Sequence, residues 1–232
     1  AAAIGGTEKT VSHAVDILSL LMLQNGTQMT GNDFKSATFA NGQSGKAALD
    51  FYLQFSNPAS ASYTWNEAQK SSFDSFSAGE SAMALGYKSD IETIKRKGPF
   101  LSLGVAPVPQ VSAGSAVNYA SYWGLGVSAQ SKQSSGAWDF VGFVTANEAV
   151  AKTYSTTTGH PPALRSLISA LSNDPELGVF AGQALSARSW YTADYARIED
   201  ILNSAIFKII NGQTNSAQAL REAQDSVSLL MR

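Results

Sequence analysis

The chain has 232 residues, enough to bury a sizeable hydrophobic core without help from disulfides or metals. Charged residues make up only 15% of it, and 16 Lys and Arg against 18 Asp and Glu leave a formal net charge of -2. Such a chain has no global positive potential to attract a phosphate backbone, so nucleic acid is excluded as a partner.

The cysteine content and the length of the apolar runs exclude several further classes of protein. The chain has no cysteine, which excludes disulfides, thiolate catalysis and Cys-based metal sites. No apolar run approaches the roughly 20 residues that a membrane-spanning helix needs. The first residues include neither an initiator Met nor a signal-peptide pattern, so we expect a piece processed or excised from a longer protein.

The first hundred residues are predicted to alternate between helix and strand. Apolar positions at helical spacing, closed by Asn25 and Gly26, predict a first helix that Ser12 or Thr10 can cap. Short apolar segments bounded by glycine or proline predict two strands, at 81–87 and 102–108. The helices predicted in this part are 12–24, a second from about 47 to 55, a short one after Asn66, and 90–97.

The second half is predicted to be mostly helical. Residues 119–128 form a third, glycine-punctuated strand candidate, and residues 159–162 break the pattern because two prolines forbid helix there. Ser216 is the expected cap of the last helix. The remaining segments predict helices over 137–146, 147–157, 162–171, 175–188, 195–211 and 216–231. This order predicts an α/β fold in which at least six helices cover a mixed sheet.

Catalytic patterns are few. The chain has two histidines, His13 and His160, neither in a metal-ligand pattern, and no G-x-S-x-G turn that would expose a nucleophilic serine. Asp194, Glu199 and Asp200 could act as acid and base of a carbohydrate hydrolase, although an exposed helical face would carry such residues anyway. A non-catalytic interaction domain is a further alternative.

Aromatic residues beside glycine or polar side chains are the most informative feature. They lie in turns and at strand ends, outside the periodic apolar segments that supply core aromatics. A flat ring next to hydrogen-bonding groups suits a sugar, whose apolar face stacks on the ring while its hydroxyls are hydrogen-bonded. The predicted ligand-binding residues are Tyr87, Tyr122, Trp123, Trp190 and Tyr191, with His160 and Asp194 as polar candidates. No metal or other cofactor is expected.

Five segments, in order, resemble the extracellular solute-binding proteins of ABC importers, the family that includes maltose-binding protein. Residues 76–87 resemble its F-x-x-G-x-A-A-M stretch, with Ser81 where alanine is usual, and residues 104–109 resemble its G-x-x-P-x-P strand. The other three are residues 123–141 (a glycine-rich strand and an A-W-x-F helix), 159–164 (G-x-x-P) and 209–223 (terminal helices).

The resemblance implies a periplasmic-binding-protein-like (type II) architecture of two α/β lobes that close on a solute about a hinge. It implies that residues 1–110 and 160–232 form the second lobe and that 111–159 are an excursion belonging to the first. Tyr122 and Trp123 would face the cleft from the excursion, and Tyr87, Trp190 and Tyr191 from the second lobe. An ABC permease as partner and an extracytoplasmic location, periplasmic or on the cell surface, follow from the same resemblance.

The short length relative to that family predicts an exposed apolar face on the excursion. The side chains concerned are Phe140, Val141, Phe143 and Val144. We expect this face to favour self-association of the 232-residue chain and expect the chain alone to bind solute weakly.

Overall fold

The structure is a computed structural model that describes residues 2–112 and 114–232. Over that part of the chain it contains ten α-helices and two short strands. In chain order they are α1 (Ala14–Gln24), α2 (Ser44–Leu53), α3 (Ser72–Ser77), α4 (Asp90–Lys97), β1 (Asn118–Tyr119), α5 (Ser134–Ala146), α6 (Glu148–Thr158), α7 (Arg165–Ile168), α8 (Leu177–Ala184), β2 (Ala187–Arg188), α9 (Tyr195–Ile210) and α10 (Ser216–Leu230).

The chain forms two compact units. Unit 1 contains Ala1–Ser102, Pro109–Tyr119 and Arg188–Arg232, and unit 2 contains Leu103–Val108 and Ala120–Ala187. The chain therefore leaves unit 1 for its long excursion after residue 119 and returns at residue 188, whereas the sequence suggested 110 and 160. The assignment of these segments to two lobes of a larger protein stays a prediction.

Unit 1 has a continuous hydrophobic core that lies among α1, α2, α9 and α10. Helix α1 packs against α2 and α9, and α10 packs against the same two helices, so each helix buries its apolar stripe against two neighbours. The largest fully buried side chains of this cluster are Tyr52, Phe39, Leu18, Met22, Leu49, Ile198, Leu202, Ile206, Leu220, Val11, Val15 and Val227.

Buried polar groups attach the segment before α1 to this core. The Tyr52 hydroxyl donates to the carbonyl of Gly6 at 2.6 Å, and the Trp65 indole donates to the carbonyl of Thr10 at 3.1 Å. Glu8 accepts from the backbone N–H of Val15 at 2.8 Å, which satisfies a donor in the first turn of α1. These bonds determine where α1 begins and which way it faces.

Most predicted helices are present, but the one predicted after Asn66 begins only at Ser72, the one predicted over 175–188 ends at Ala184 before β2, and two predicted caps are wrong. α1 and α4 lie where the sequence placed them, and Gly26, with φ 72°, follows the end of α1. The α1 N-cap is His13, not Ser12 or Thr10. Asn215, not Ser216, caps α10, because its side-chain oxygen accepts from the N–H of Gln218.

The predicted strands are the main correction. Residues 81–87 make one isolated parallel bridge, between Met83 and Ala2, and residues 102–108 belong to no strand. Within 119–128 only Tyr119 is in a strand, β1, which pairs with β2 in a two-stranded sheet. A strand needs a neighbouring strand to pair with along its length. Among the described residues, 81–87 have a partner only at Met83, 119–128 only at Tyr119, and 102–108 have none.

Unit 2 is built from α5 to α8. Its α6 begins at Asn147, whose side chain accepts from the N–H groups of Ala149 and Val150. Its buried apolar side chains are few, and they belong to α6, α7 and α8: Ala151, Leu167, Ile168 and Ala181. Within residues 2–112 and 114–232, no helix has the length and apolar character needed to cross a membrane.

Helix α5 is the least covered helix of unit 2, since none of its residues is buried. Phe140 is 63% exposed and Phe143 is 57% exposed, as the sequence suggested, whereas Val141 and Val144 are half-buried. Because such a face is unfavourable in water, we expect the 232-residue chain to self-associate. Light scattering should show a mass above 24.4 kDa that decreases in the double variant Phe140→Ser/Phe143→Ser. A wild-type monomer at high protein concentration would contradict this expectation.

Candidate functional site

A buried carboxylate on α1 holds two tyrosines that are distant in sequence. Asp16 is 6% exposed. The Tyr87 hydroxyl donates to its Oδ2 at 2.7 Å, and the Tyr195 hydroxyl donates to its Oδ1 at 2.9 Å. Each carboxylate oxygen of Asp16 therefore accepts one hydrogen bond from a phenol, and both tyrosine rings are held in place at their hydroxyl groups.

Local structure explains how these three residues come together. Asp16 lies in the first turn of α1, where the helix dipole favours a negative charge. Tyr87 lies on the irregular segment just before α4, and Tyr195 is the first residue of α9. Core packing of α9 against α1 brings the start of α9 to the start of α1.

Electrostatics keep both phenols protonated. Burial raises the pKa of Tyr87 well above its ordinary value of 10.0, and the negative charge of Asp16 raises it further. Burial and the same carboxylate also raise the pKa of Tyr195. Burial, followed by the charges of Asp16 and Asp200, raises the pKa of Glu199 nearby. The cluster is thus acidic, and its two hydroxyls act as donors to Asp16 at physiological pH.

His13 connects the start of α1 to the Tyr87 segment. Its Nε2 lies 3.0 Å from Oδ2 of Asp90, and the same oxygen accepts the backbone N–H of Tyr87 at 2.6 Å. The imidazole ring meets the Tyr87 ring edge-on with 4.9 Å between centroids. Tyr87 is therefore held at its backbone by Asp90, at its ring by His13 and at its hydroxyl by Asp16.

The His13 backbone is itself unusual. With φ 61° it is in the left-handed region, which costs a non-glycine residue energy and which surrounding contacts must compensate. Burial by itself would lower the pKa of His13, but the hydrogen bond and charge of Asp90, with Asp16 and Glu8, outweigh it and raise the pKa above 6.5. The fold therefore favours the protonated imidazole.

This raised pKa makes the stability of the protein depend on pH. The contribution of protonated His13 is complete below the unfolded-state pKa of about 6.5 and is lost as pH rises through the higher folded-state pKa. His13→Asn, which tolerates the left-handed backbone, should lack that step. We expect the free energy of unfolding of wild type, relative to that of the variant, to be about 1 kcal/mol larger at low pH than at high pH. Urea unfolding of both proteins, at pH values below and above the folded-state pKa, measures this difference. The same dependence of unfolding free energy on pH in both proteins would contradict the prediction.

Trp190 and Tyr191 lie further along the same side of unit 1. The Trp190 indole N–H reaches Oγ of Ser19 at 3.4 Å, and its ring meets the core residue Phe39 edge-on at 6.3 Å. Tyr191 is 49% exposed, and its ring meets Phe34 edge-on at 5.8 Å. Trp190 is thus partly buried and anchored, and Tyr191 is open to solvent.

One face of α1 supports this whole arrangement. Asp16 and Ser19 are three residues apart and Leu23 follows four later, a spacing that places all three on one side of the helix. Asp16 binds the two tyrosines and Ser19 contacts Trp190. The aromatic side chains therefore form a row that extends for about 10 Å, or two helical turns. We call Tyr87, Tyr195, Trp190 and Tyr191 the aromatic row.

The remaining aromatic candidates belong to unit 2. Trp123 is 99% exposed and Tyr122 is 74% exposed, both in the irregular segment after β1. His160 is half-buried, and its carbonyl accepts from the Ser155 hydroxyl at 2.7 Å, which closes the turn after α6. Large rings with so little cover are available to contact a ligand.

The acidic residues considered for hydrolysis do not converge. Asp194 accepts from the N–H of Arg197 as the N-cap of α9 and forms an ion pair with that side chain at 3.5 Å. Glu199 lies near Asp16, whereas Asp200, next along the helix, lines a groove between α9 and α10. Successive helical side chains diverge, so this pair does not face one cleft. Among the described residues, no group of three or more acidic or histidine side chains could hold a metal ion.

The sequence pattern predicted Tyr87, Trp190 and Tyr191 as ligand residues, which stays a prediction, but did not indicate the groups that hold Tyr87 and Trp190. Tyr195 follows the Asp194 cap and belongs to the same aromatic and polar cluster of the sequence as Trp190 and Tyr191, but the sequence does not indicate its partner. The signal for Asp16 is an acidic residue at a position that the apolar pattern of α1 assigns to the core. A buried carboxylate needs donors, so it points to partners elsewhere in the chain.

Comparison with known proteins identifies relatives of this architecture. A sequence profile of the family described as bacterial extracellular solute-binding protein matches residues 6–179. No curated protein matches the sequence. An ABC-transporter solute-binding protein from Thermotoga lettingae, bound with α-D-tagatose, is similar, with TM-score 0.68, 18% identity, and coverage of 99% of this chain and 60% of that one.

Two further solved structures are similar in the same way. One is a cyclic α-maltosyl-1,6-maltose binding protein from Arthrobacter globiformis, with TM-score 0.70, 17% identity, and coverage of 97% and 59%. The other is an ABC substrate-binding protein from Listeria monocytogenes in complex with cycloalternan, with TM-score 0.62, 19% identity, and coverage of 97% and 58%. At these identities the likeness establishes the fold, and the chain spans about three-fifths of the length of these structures.

Proposed function

The chain belongs to the family of bacterial extracellular solute-binding proteins, and from this premise we propose that it is part of the carbohydrate receptor of an ABC importer. The receptor captures a sugar or oligosaccharide between two lobes by hinge closure and carries out no chemistry on it. The aromatic row of unit 1 is the observation that carries the proposal, because several rings are held by hydrogen bonds while remaining partly open to solvent.

The chemistry of the row supports a carbohydrate. Partly exposed rings offer stacking surfaces for the apolar faces of sugar rings, and the neighbouring polar groups offer hydrogen bonds to hydroxyls. The three similar structures carry, or are named for, carbohydrate ligands. The resemblance found in the sequence also pointed to this class of solute.

The proposed ligand contacts are the predicted aromatic residues. Tyr87, Trp190 and Tyr191 are candidates that belong to unit 1, and Tyr122 and Trp123 are candidates that belong to unit 2. Trp123, at 99% exposure, has nearly its whole ring surface available to a ligand. His160 and Asp194 are polar groups for hydroxyl recognition, in addition to their contacts within the turn after α6 and at the start of α9.

The proposal also defines the partners and the location. An ABC permease receives the solute from the closed receptor, so the protein acts outside the cytoplasmic membrane, in a periplasm or at a cell surface. Residues 1–110 and 160–232 are assigned to the second lobe of the complete protein and 111–159 to the first.

Tryptophan fluorescence tests the proposal directly. The gene's complete product is titrated with monosaccharides, disaccharides and trisaccharides, and we expect a saturable change for at least one of them. Trp190→Phe and Trp123→Phe should each reduce the change, whereas Trp65→Phe, which removes a buried core indole, should not. Saturable binding of a peptide or a polyamine, with no response to any carbohydrate, would overturn the proposed solute class.

A further inference from the structure

A groove of about 360 Å³ lies at the far end of the aromatic row, entirely within unit 1. One wall is the loop that follows α1, with Gln28, Asn32 and Phe34, and the other is the segment that carries Trp190 and Tyr191. Leu23 of α1 is at its base. None of the residues that line the groove has a charged side chain.

The loop that carries Phe34 is held by its own hydrogen bonds. Thr30 and Ala37 form an antiparallel bridge, the Gly31 N–H donates to the Ser36 carbonyl at 2.9 Å, and the Phe34 N–H donates to the Gly31 carbonyl at 3.0 Å. The loop is therefore a compact turn, and the position of Phe34 follows from its backbone.

The backbone conformation of Phe34 is energetically unfavourable. Its φ is 56°, in the left-handed region that favours glycine, and its side chain is 56% exposed. A bulky residue in that conformation is strained, and an exposed phenyl ring recovers little of the strain by burial. Glycine would fit this turn better. The turn itself does not need the ring, and more than half of the ring is exposed beside Tyr191, which indicates a role in contacting something outside the chain.

The chemistry of the groove is neutral and mixed. The edge-on rings of Phe34 and Tyr191, with 5.8 Å between centroids, offer apolar surface. The Gln28 amide donates to the carbonyl of Thr30 at 3.2 Å and lies 3.4 Å from Oδ1 of Asn32, so two amide groups are held at the rim. Amides both donate and accept hydrogen bonds, as vicinal hydroxyls do. An uncharged ring with an apolar face and hydroxyl edges matches these walls.

We propose that the groove between Phe34 and Tyr191 binds one pyranose ring of an oligosaccharide, as a binding site additional to the Tyr87–Tyr195 end of the row. This inference rests on the proposed carbohydrate function and extends it. The α1 face from Asp16 to Leu23 spans about 10 Å, so a ligand that occupies both ends has more than one sugar ring. The protein is on this basis an oligosaccharide receptor, and Phe34, Gln28 and Asn32 are ligand contacts.

The decisive variant is Phe34→Gly, because strain and binding predict opposite effects. The gene's complete product is titrated by calorimetry with maltotriose, cellotriose and raffinose as probes, together with glucose and tagatose. We expect at least one trisaccharide to bind, and Phe34→Gly and Tyr191→Ala to weaken that binding about tenfold. Phe34→Gly should melt no lower than wild type, since it relieves the left-handed strain. Phe51→Ala removes a comparably exposed ring, paired with Phe55, and should change affinity less than twofold.

Each other outcome has a defined meaning. If a trisaccharide binds and both groove variants bind it within twofold of wild type, the groove proposal is wrong and the carbohydrate function stands. If only glucose or tagatose binds, the groove proposal is likewise wrong. If none of these sugars binds while a peptide or polyamine does, the proposed function fails and the groove proposal fails with it.

Discussion

Asp16→Ala is expected to weaken carbohydrate binding about hundredfold in the gene's complete product. The variant removes the acceptor for both tyrosine hydroxyls, so Tyr87 and Tyr195 lose the bonds that fix their ring positions. If the disorder of each ring costs about tenfold in affinity, or roughly 1.4 kcal/mol, the two together give this figure. Calorimetric titration with the best-bound sugar measures it.

The conservative variant and a control separate this positioning role from general instability. Asp16→Asn keeps the shape and one acceptor oxygen, so its affinity should lie between those of wild type and Asp16→Ala. Asp50→Ala removes an exposed carboxylate that pairs with Lys46 one turn earlier on α2, and should bind as wild type does. Wild-type affinity in Asp16→Ala would show that other contacts hold the two rings.

Gly45→Ala should cause the largest loss of stability, about 3 kcal/mol or more of the free energy of unfolding. Gly45 is the second residue of α2, and a Cβ there would overlap the backbone carbonyl oxygen of Phe39. Backbone cannot rotate away as a side chain can, so α2 or the Phe39 segment must move. Phe39 is fully buried and meets the Trp190 ring, so the displacement should also disturb the aromatic row.

Urea unfolding followed by fluorescence of the buried Trp65 in unit 1 measures this effect. Gly42→Ala is the matched control three residues away, because nothing lies within 4 Å of a Cβ there. Its φ of 85° should still cost about 1 kcal/mol. Equal losses in the two variants would mean that the contact with Phe39 adapts by a small movement of α2.

The positions of several helices and the protein family could be predicted from the sequence alone. The pattern predicted α4 over 90–97 and α1 to end at residue 24, as observed. Helical hydrogen bonds join residues four apart, so the information that forms a helix lies in the same few turns. The order of five short segments was also sufficient to suggest solute-binding proteins, a resemblance that the profile match over 6–179 confirms.

Tertiary structure determines which segments pair as strands and which groups hold the aromatic side chains of the candidate site in place. The predicted strands at 81–87 and 102–108 have strand-like sequences, but whether a ladder forms depends on a partner strand, which can come from any part of a chain. The sequence likewise singled out Tyr87 and Trp190 as ligand residues without indicating what fixes them. Asp16 bonds to residues 71 and 179 positions away. Only the packing of α1 against α9 and the segment before α4 brings these groups together, because hydrogen bonds between side chains depend on distance in space and not on separation along the chain.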